Sequence, residues 1–91
     1  MKRTKIIATL GPASNRRETI EELIAAGVDV FRLNFSHGDH AGHEKVFRSI
    51  RAAARSLGRY TAIMMDLQGP KIRVGDLKDG AVTLSPRKEI K

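Results

Sequence analysis

Arg32, Asn34 and Ser36 are spaced two apart, so a guanidinium, an amide and a hydroxyl fall within one short stretch. In an extended chain, residues two apart share a side, and the three groups then converge. The planar fork of an arginine suits phosphate or carboxylate, while amide and hydroxyl oxygens suit a hard cation. The alternative for Arg32 is a strand-end ion pair with Asp29 or Asp66. Asp66 itself follows the apolar run Ala62-Ile63-Met64-Met65, which places its carboxylate at a buried strand mouth where a charge needs a partner. Arg32, Lys71, Arg73 or a bound cation could supply it, and a purely structural pair with Arg32 is the competing reading. His37, His40 and His43 recur every three residues in the manner of a metal face. Asp39 and Gly42 break that pattern where a helix begins and no further ligand lies nearby, so a metal site is rejected and His43 is read as solvated.

These residues need strands and helices to hold them. Ile6 to Leu10 is a β-branched run halted by Gly11-Pro12, a first strand. Asn15 stands three residues before Glu18 at capping-box spacing, Ile20, Leu23 and Ile24 follow with helical periodicity, and Gly27 stops that helix. Val28 to Phe35 forms a second strand, with Phe31, Leu33 and Phe35 on one face and Arg32 and Asn34 on the other. Asp39 caps a second helix, whose stripe is Val46, Phe47, Ile50, Ala53, Ala54 and Leu57 and whose terminator is Gly58. Ala62 to Asp66 is a third strand, apolar enough to be buried on both faces. A βαβαβ order means a parallel sheet with right-handed crossovers, as in a doubly wound fold or a (β/α)8 barrel. Functional groups in such folds gather at strand ends, here Thr9 through Ser14, Arg32 through Gly38 and Asp66 through Arg73. After Gly69-Pro70 the texture turns to short segments punctuated by Gly75, Asp79-Gly80 and Ser85-Pro86, which suggests β-structure of another kind and a domain boundary near Pro70.

Composition narrows the function classes. The 91 residues are 41% hydrophobic, with 17 Lys plus Arg against 10 Asp plus Glu and no cysteine. This describes a small, basic, soluble unit without disulfides or thiolate metal sites, read as cytoplasmic, and shorter than the roughly 200 residues at which parallel βα barrels close. No apolar run suits a membrane span or a signal peptide. The net charge of +7, with Arg48, Arg51 and Arg55 on one side of the second helix, raises nucleic acid as a partner. Aromatics are only 4%, and Phe31 and Phe35 read as core, so the stacking platform of a single-strand binder is missing and a solvated helix face is preferred. Neither a GxxxxGK[ST] loop nor a GxGxxG turn is present.

Three segments, Thr4-Lys5-Ile6-Ile7-Ala8-Thr9-Leu10-Gly11-Pro12-Ala13-Ser14, Arg32-Leu33-Asn34-Phe35-Ser36-His37-Gly38 and Asp66 through Arg73, in this order and spacing resemble pyruvate kinase. The likeness covers nearly all of residues 3–75. It implies an α/β fold: residues 1–70 as the opening βαβαβ portion of a (β/α)8 TIM barrel, and residues 71–91 as the truncated start of an inserted, β-rich lid domain. It further implies the N-terminal portion of an enzyme that transfers phosphoryl from phosphoenolpyruvate to ADP in glycolysis, giving pyruvate and ATP. That enzyme would be a cytoplasmic homotetramer using Mg2+, with no nucleic acid or membrane partner, and the 91 residues alone would be inactive. Carried over by position, Arg32 is the catalytic and substrate-binding contact to the transferring phosphoryl group. Asn34, Ser36 and His37 fall in the nucleotide-binding stretch, which Arg73 reaches from the lid hinge. Asn34, Ser36, Asp66 and Leu67 surround a monovalent-cation site, while the Mg2+ carboxylates, a phosphate-contacting lysine and the enolate's proton donor belong to later strands. Many members read Asp-Thr-Lys-Gly-Pro-Glu-Ile-Arg-Thr where this chain has Asp66-Leu67-Gln68-Gly69-Pro70-Lys71-Ile72-Arg73-Val74. The Leu67, Gln68 and Lys71 set resembles the branch that works without K+, with Lys71 in the cation's place. The alternative is a small basic nucleic-acid-binding or anion-binding βαβ module without catalysis.

Overall fold

A computed structural model describes residues 3–90; Met1, Lys2 and Lys91, which belong to the two expected units, lie outside them. Strands β1 (Ile7–Thr9), β2 (Val30–Asn34) and β3 (Ala62–Asp66) alternate with helices α1 (Arg17–Ala26) and α2 (His40–Ser56). The sheet runs β1-β2-β3 and is parallel throughout, with Thr9 opposite Arg32 and Asn34 opposite Asp66. Bonds along the β1 ladder reach past its three residues, since Asp29 and Val30 N–H groups donate to the Ile6 carbonyl and Leu10 N–H donates to the Arg32 carbonyl.

The two helices start differently. Asp39 caps α2 as its side chain predicts, its Oδ1 accepting from Gly42 N–H at 2.7 Å. The capping box expected at Asn15 and Glu18 is not formed. The chain first makes a tight turn in which Ser14 N–H donates to the Gly11 carbonyl and Gly11 N–H to Ser14 Oγ. That turn delays the helix to Arg17 and leaves Arg16 at the cap position without a side-chain bond, so Glu18 serves only as a favourable charge in the first turn. Gly27 ends α1 at φ 114°, a conformation in which a side chain would be strained, and its N–H caps the carbonyls of Leu23 and Ile24.

Both helices lie on one face of the sheet. Phe31, Ile20, Ile24 and Ile50 are fully buried between the layers, joined by Leu10, Leu33, Ala53 and Ala54. The opposite face carries Thr9, Arg32 and Asn34, and no described element covers it, which corrects two expectations. β3 is not buried on both faces: Met64 and Met65 are 40% and 59% exposed, and only Ile63 packs against the core. Phe47 and Leu57, expected in the α2 stripe, sit at its margin and are exposed, because the core-facing arc is already filled by Ile50, Ala53 and Ala54. Residues 67–90 are exposed and, as described, hold no strand, only one turn of 3-10 helix at Lys78–Gly80. A strand needs a partner ladder, and among the described residues this stretch pairs with no strand of the sheet. Among the described residues no helix is long and apolar enough to cross a membrane.

Candidate functional site

The carboxyl ends of the three strands meet at one edge of the uncovered face, and Arg32 is the centre of that edge. Its Nε donates to Asp66 Oδ2 at 2.9 Å, a terminal nitrogen donates to the same oxygen, and the other terminal nitrogen donates to Thr9 Oγ1 at 3.2 Å. A guanidinium has five N–H donors. Three are engaged, one on each nitrogen, so each terminal nitrogen keeps one N–H for a ligand. The side chains of Arg32 and Asp66 are 30% and 46% exposed. Asp66 is therefore not at a buried mouth as expected, because no further layer covers this face. A pair this wet contributes at most about 1 kcal/mol to stability. Its consequence is orientation: Asp66 grips one edge of the fork, and the opposite edge is presented outward. Both alternatives raised for Arg32 are thus compatible, since the ion pair occupies only part of the donor set.

Asn34 lies beside Asp66 in register and organises the turn that follows β2. Its Oδ1 accepts from Ser36 N–H at 3.0 Å, its carbonyl accepts from His37 N–H, and Phe35 N–H donates across to the Asp66 carbonyl. Asn34, Ser36 and Asp66 thus bring amide, hydroxyl and carboxylate oxygens to one strand end, a donor set suited to a hard cation. His37 is exposed at the tip of the turn and lines a cleft of about 400 Å³ with Gly11, Pro12, Asn34 and His43. Leu67, Lys71 and Arg73 are not gathered in. All three are exposed, and Lys71 and Arg73 make no ion pair among the described residues.

His43, read from the sequence as solvated, is half-buried and engaged. Its Nε2 meets the His37 carbonyl at 2.6 Å, and its ring stacks on Phe35 at 4.2 Å between centroids. The signal in the sequence was Phe35 and His43 flanking Gly38, which a helical-face reading of the three histidines hides. Two of the three arginines of α2 are engaged, so the three do not form a wholly free basic stripe. Arg48 pairs with Glu44, and Arg51 donates to the Thr61 carbonyl at 2.8 Å while lying over the Phe47 ring. A larger cleft, about 770 Å³, opens at the other end of the sheet among Lys5, Arg51, Arg55 and Arg59. It lies at the amino ends of the strands, away from the end where parallel βα folds place their chemistry.

Against known proteins, the family model described as the barrel domain of pyruvate kinase matches residues 1–91. A pyruvate kinase of Staphylococcus saprophyticus is 47% identical over 90 residues, which is 99% of this chain and 15% of that protein. Pyruvate kinase II of Salmonella typhimurium is 51% identical over 85 residues, 93% of this chain and 18% of its own. The crystal structure of a pyruvate kinase from Cryptosporidium parvum superposes with a TM-score of 0.72 at 48% identity, covering 84% of this chain and 16% of its own. The chain spans less than a fifth of the length of each of these relatives.

Proposed function

The chain belongs to the pyruvate kinase family, within its barrel domain, and on that premise we propose that the protein carrying it transfers phosphoryl from phosphoenolpyruvate to ADP, as a cytoplasmic homotetramer in glycolysis. The observation that carries this reading is the partly occupied guanidinium of Arg32 at the carboxyl end of β2, with two of its five N–H donors left over. Phosphoryl transfer asks the protein for position and for positive charge at the moving group. Arg32 meets both demands, because Asp66 and Thr9 hold the fork while the remaining N–H on each terminal nitrogen is left for the oxygens of a phosphoryl group.

The residues around Arg32 divide the remaining work. His37 and Arg73 bind the nucleotide, the first from the cleft beside β2 and the second from the segment that begins the lid, with the boundary near Pro70. The oxygens of Asn34, Ser36 and Asp66 form the monovalent-cation position, and in the full-length protein the segment that carries Leu67 and Lys71, exposed in this chain, closes on it so that Lys71 supplies the charge. A bound divalent cation such as Mg2+ supplies further neutralisation of phosphate charge. Among the described residues no group of three His, Asp or Glu side chains is placed to hold one. The complete centre belongs to the full-length protein, and the 91 residues alone are expected to be inactive.

Arg32→Lys in the full-length protein tests the reading. An ammonium cannot reproduce the two-point contact, and turnover of phosphoenolpyruvate and ADP should fall by more than about tenfold, or ~1.4 kcal/mol of transition-state stabilisation. A smaller loss would make Arg32 a structural partner of Asp66.

A further inference from the structure

We propose that His43 is a positioning residue for the nucleotide: it locks the turn 35–38 so that His37 stands at the mouth of its cleft. The turn is tied to the scaffold at its start by Phe35 N–H on the Asp66 carbonyl and Ser36 N–H on Asn34 Oδ1. Its far end, the carbonyl of His37, has a different anchor. His43 projects from the first turn of α2 and brings Nε2 to that carbonyl at 2.6 Å. A carbonyl oxygen can only accept, so Nε2 carries the hydrogen. The ring is held flat by Phe35, stacked at 4.2 Å and 22°, while His40 meets the same Phe35 edge-on at 6.1 Å.

Gly38 shows that the approach is built in. Its φ of +74° turns the chain toward α2, and a Cβ there would stand 3.3 Å from His43 Nε2. α2 is itself fixed at this end, because Asp39 caps it and His43 N–H donates to the Asp39 carbonyl. The turn is therefore clamped between β3 on one side and the first turn of α2 on the other. His37, Gly38 and His43 all line the cleft of about 400 Å³, together with Asn34, whereas Arg32 does not. A ligand filling that cleft contacts the clamped turn directly and reaches Arg32 only at second hand, through Asn34 and through Thr9, whose Oγ1 accepts from Arg32. The second substrate, the nucleoside diphosphate, should thus sense the loss of His43 while phosphoenolpyruvate does not.

The proposal rests on the assignment of phosphoryl transfer above, and two substitutions separate its parts. His43→Phe keeps the stack on Phe35 and removes the N–H; His43→Gln restores an N–H donor near the position of Nε2. In the full-length protein we expect His43→Phe to raise KM for ADP about five- to tenfold, with KM for phosphoenolpyruvate and kcat within about twofold, and His43→Gln to return most of the loss. An unchanged KM for ADP in His43→Phe, an equal rise for both substrates, or a Gln variant as impaired as the Phe variant would overturn it. Backbone amide exchange over residues 36–38 reads the clamp without turnover: it should quicken in His43→Phe, and unaltered protection there sinks the clamp. A wild-type protein with normal protection over 36–38 but no turnover of phosphoenolpyruvate and ADP refutes the phosphoryl-transfer assignment and, with it, the nucleotide role of His43.

Discussion

At the scale of single residues, the proposed cation position at Asn34, Ser36 and Asp66 makes Lys71 testable. An ε-ammonium is a compact monovalent charge, and exchanging Lys71 for a glutamate would change the local sum by two charge units. On the proposed function, the full-length protein should run at near full rate with tetramethylammonium as the only monovalent cation, and Lys71→Glu should make it K+-responsive. A gain above about tenfold, or ~1.4 kcal/mol, on adding K+ to the unmutated enzyme would contradict an internal cation. Thr61 offers a second test. Its hydroxyl is buried without a hydrogen-bond partner although its carbonyl takes Arg51. Such an orphan costs about 1–3 kcal/mol, so Thr61→Val should raise the urea midpoint of the chain, and a lowered midpoint would show that the hydroxyl has a partner. Arg32, Asn34 and Asp66 were legible from alternation and from the apolar run before Asp66. The sharing of Arg32 between a pair and a free edge was not, because it depends on which residue of β3 lands beside Asn34. His43 was misread for a related reason: three-residue spacing marks a helix surface, yet a first-turn side chain leans back over the chain that precedes its own helix.

At the scale of elements, the stop and start signals that work through backbone conformation or a short acceptor were readable, as Gly27 and Asp39 show. Asn15 misled because its neighbour Ser14 already served a competing turn with Gly11, and local hydrogen bonding of this kind is invisible to a spacing rule. The apolar run of β3 also misled, since hydrophobic side chains record what a strand can bury rather than what covers it. Asp39 has two tasks, ending the turn 35–38 and starting α2. Asp39→Ala should lower stability by about 1 kcal/mol, as loss of a helix cap does. Urea unfolding followed by circular dichroism measures it, and a change below about 0.3 kcal/mol would mean that the His43 clamp, not the cap, seats the helix.

At the scale of the whole molecule, one face of the sheet is layered with helices and the other is bare, with Ile7 54% and Met64 40% exposed. Open strand edges beside exposed apolar side chains favour pairing between copies. The 91-residue chain should thus sediment with an apparent mass that climbs with concentration, and Ile7→Lys should reduce the climb; one monomeric mass across the range would argue that the bare face is inert. The strand order adds a consequence of another kind. Each strand pairs only with the next one in the chain, so a polypeptide emerging from the ribosome can lay down β1, α1, β2, α2 and β3 in the order of translation without waiting for a distant partner. Thr9 and Arg32 are in place once β2 has joined β1, but the grip of Asp66 on the guanidinium spans 34 residues and waits for β3. Until the third strand docks the fork is held by Thr9 alone, so the final orientation of the guanidinium reports how far the nascent chain has folded.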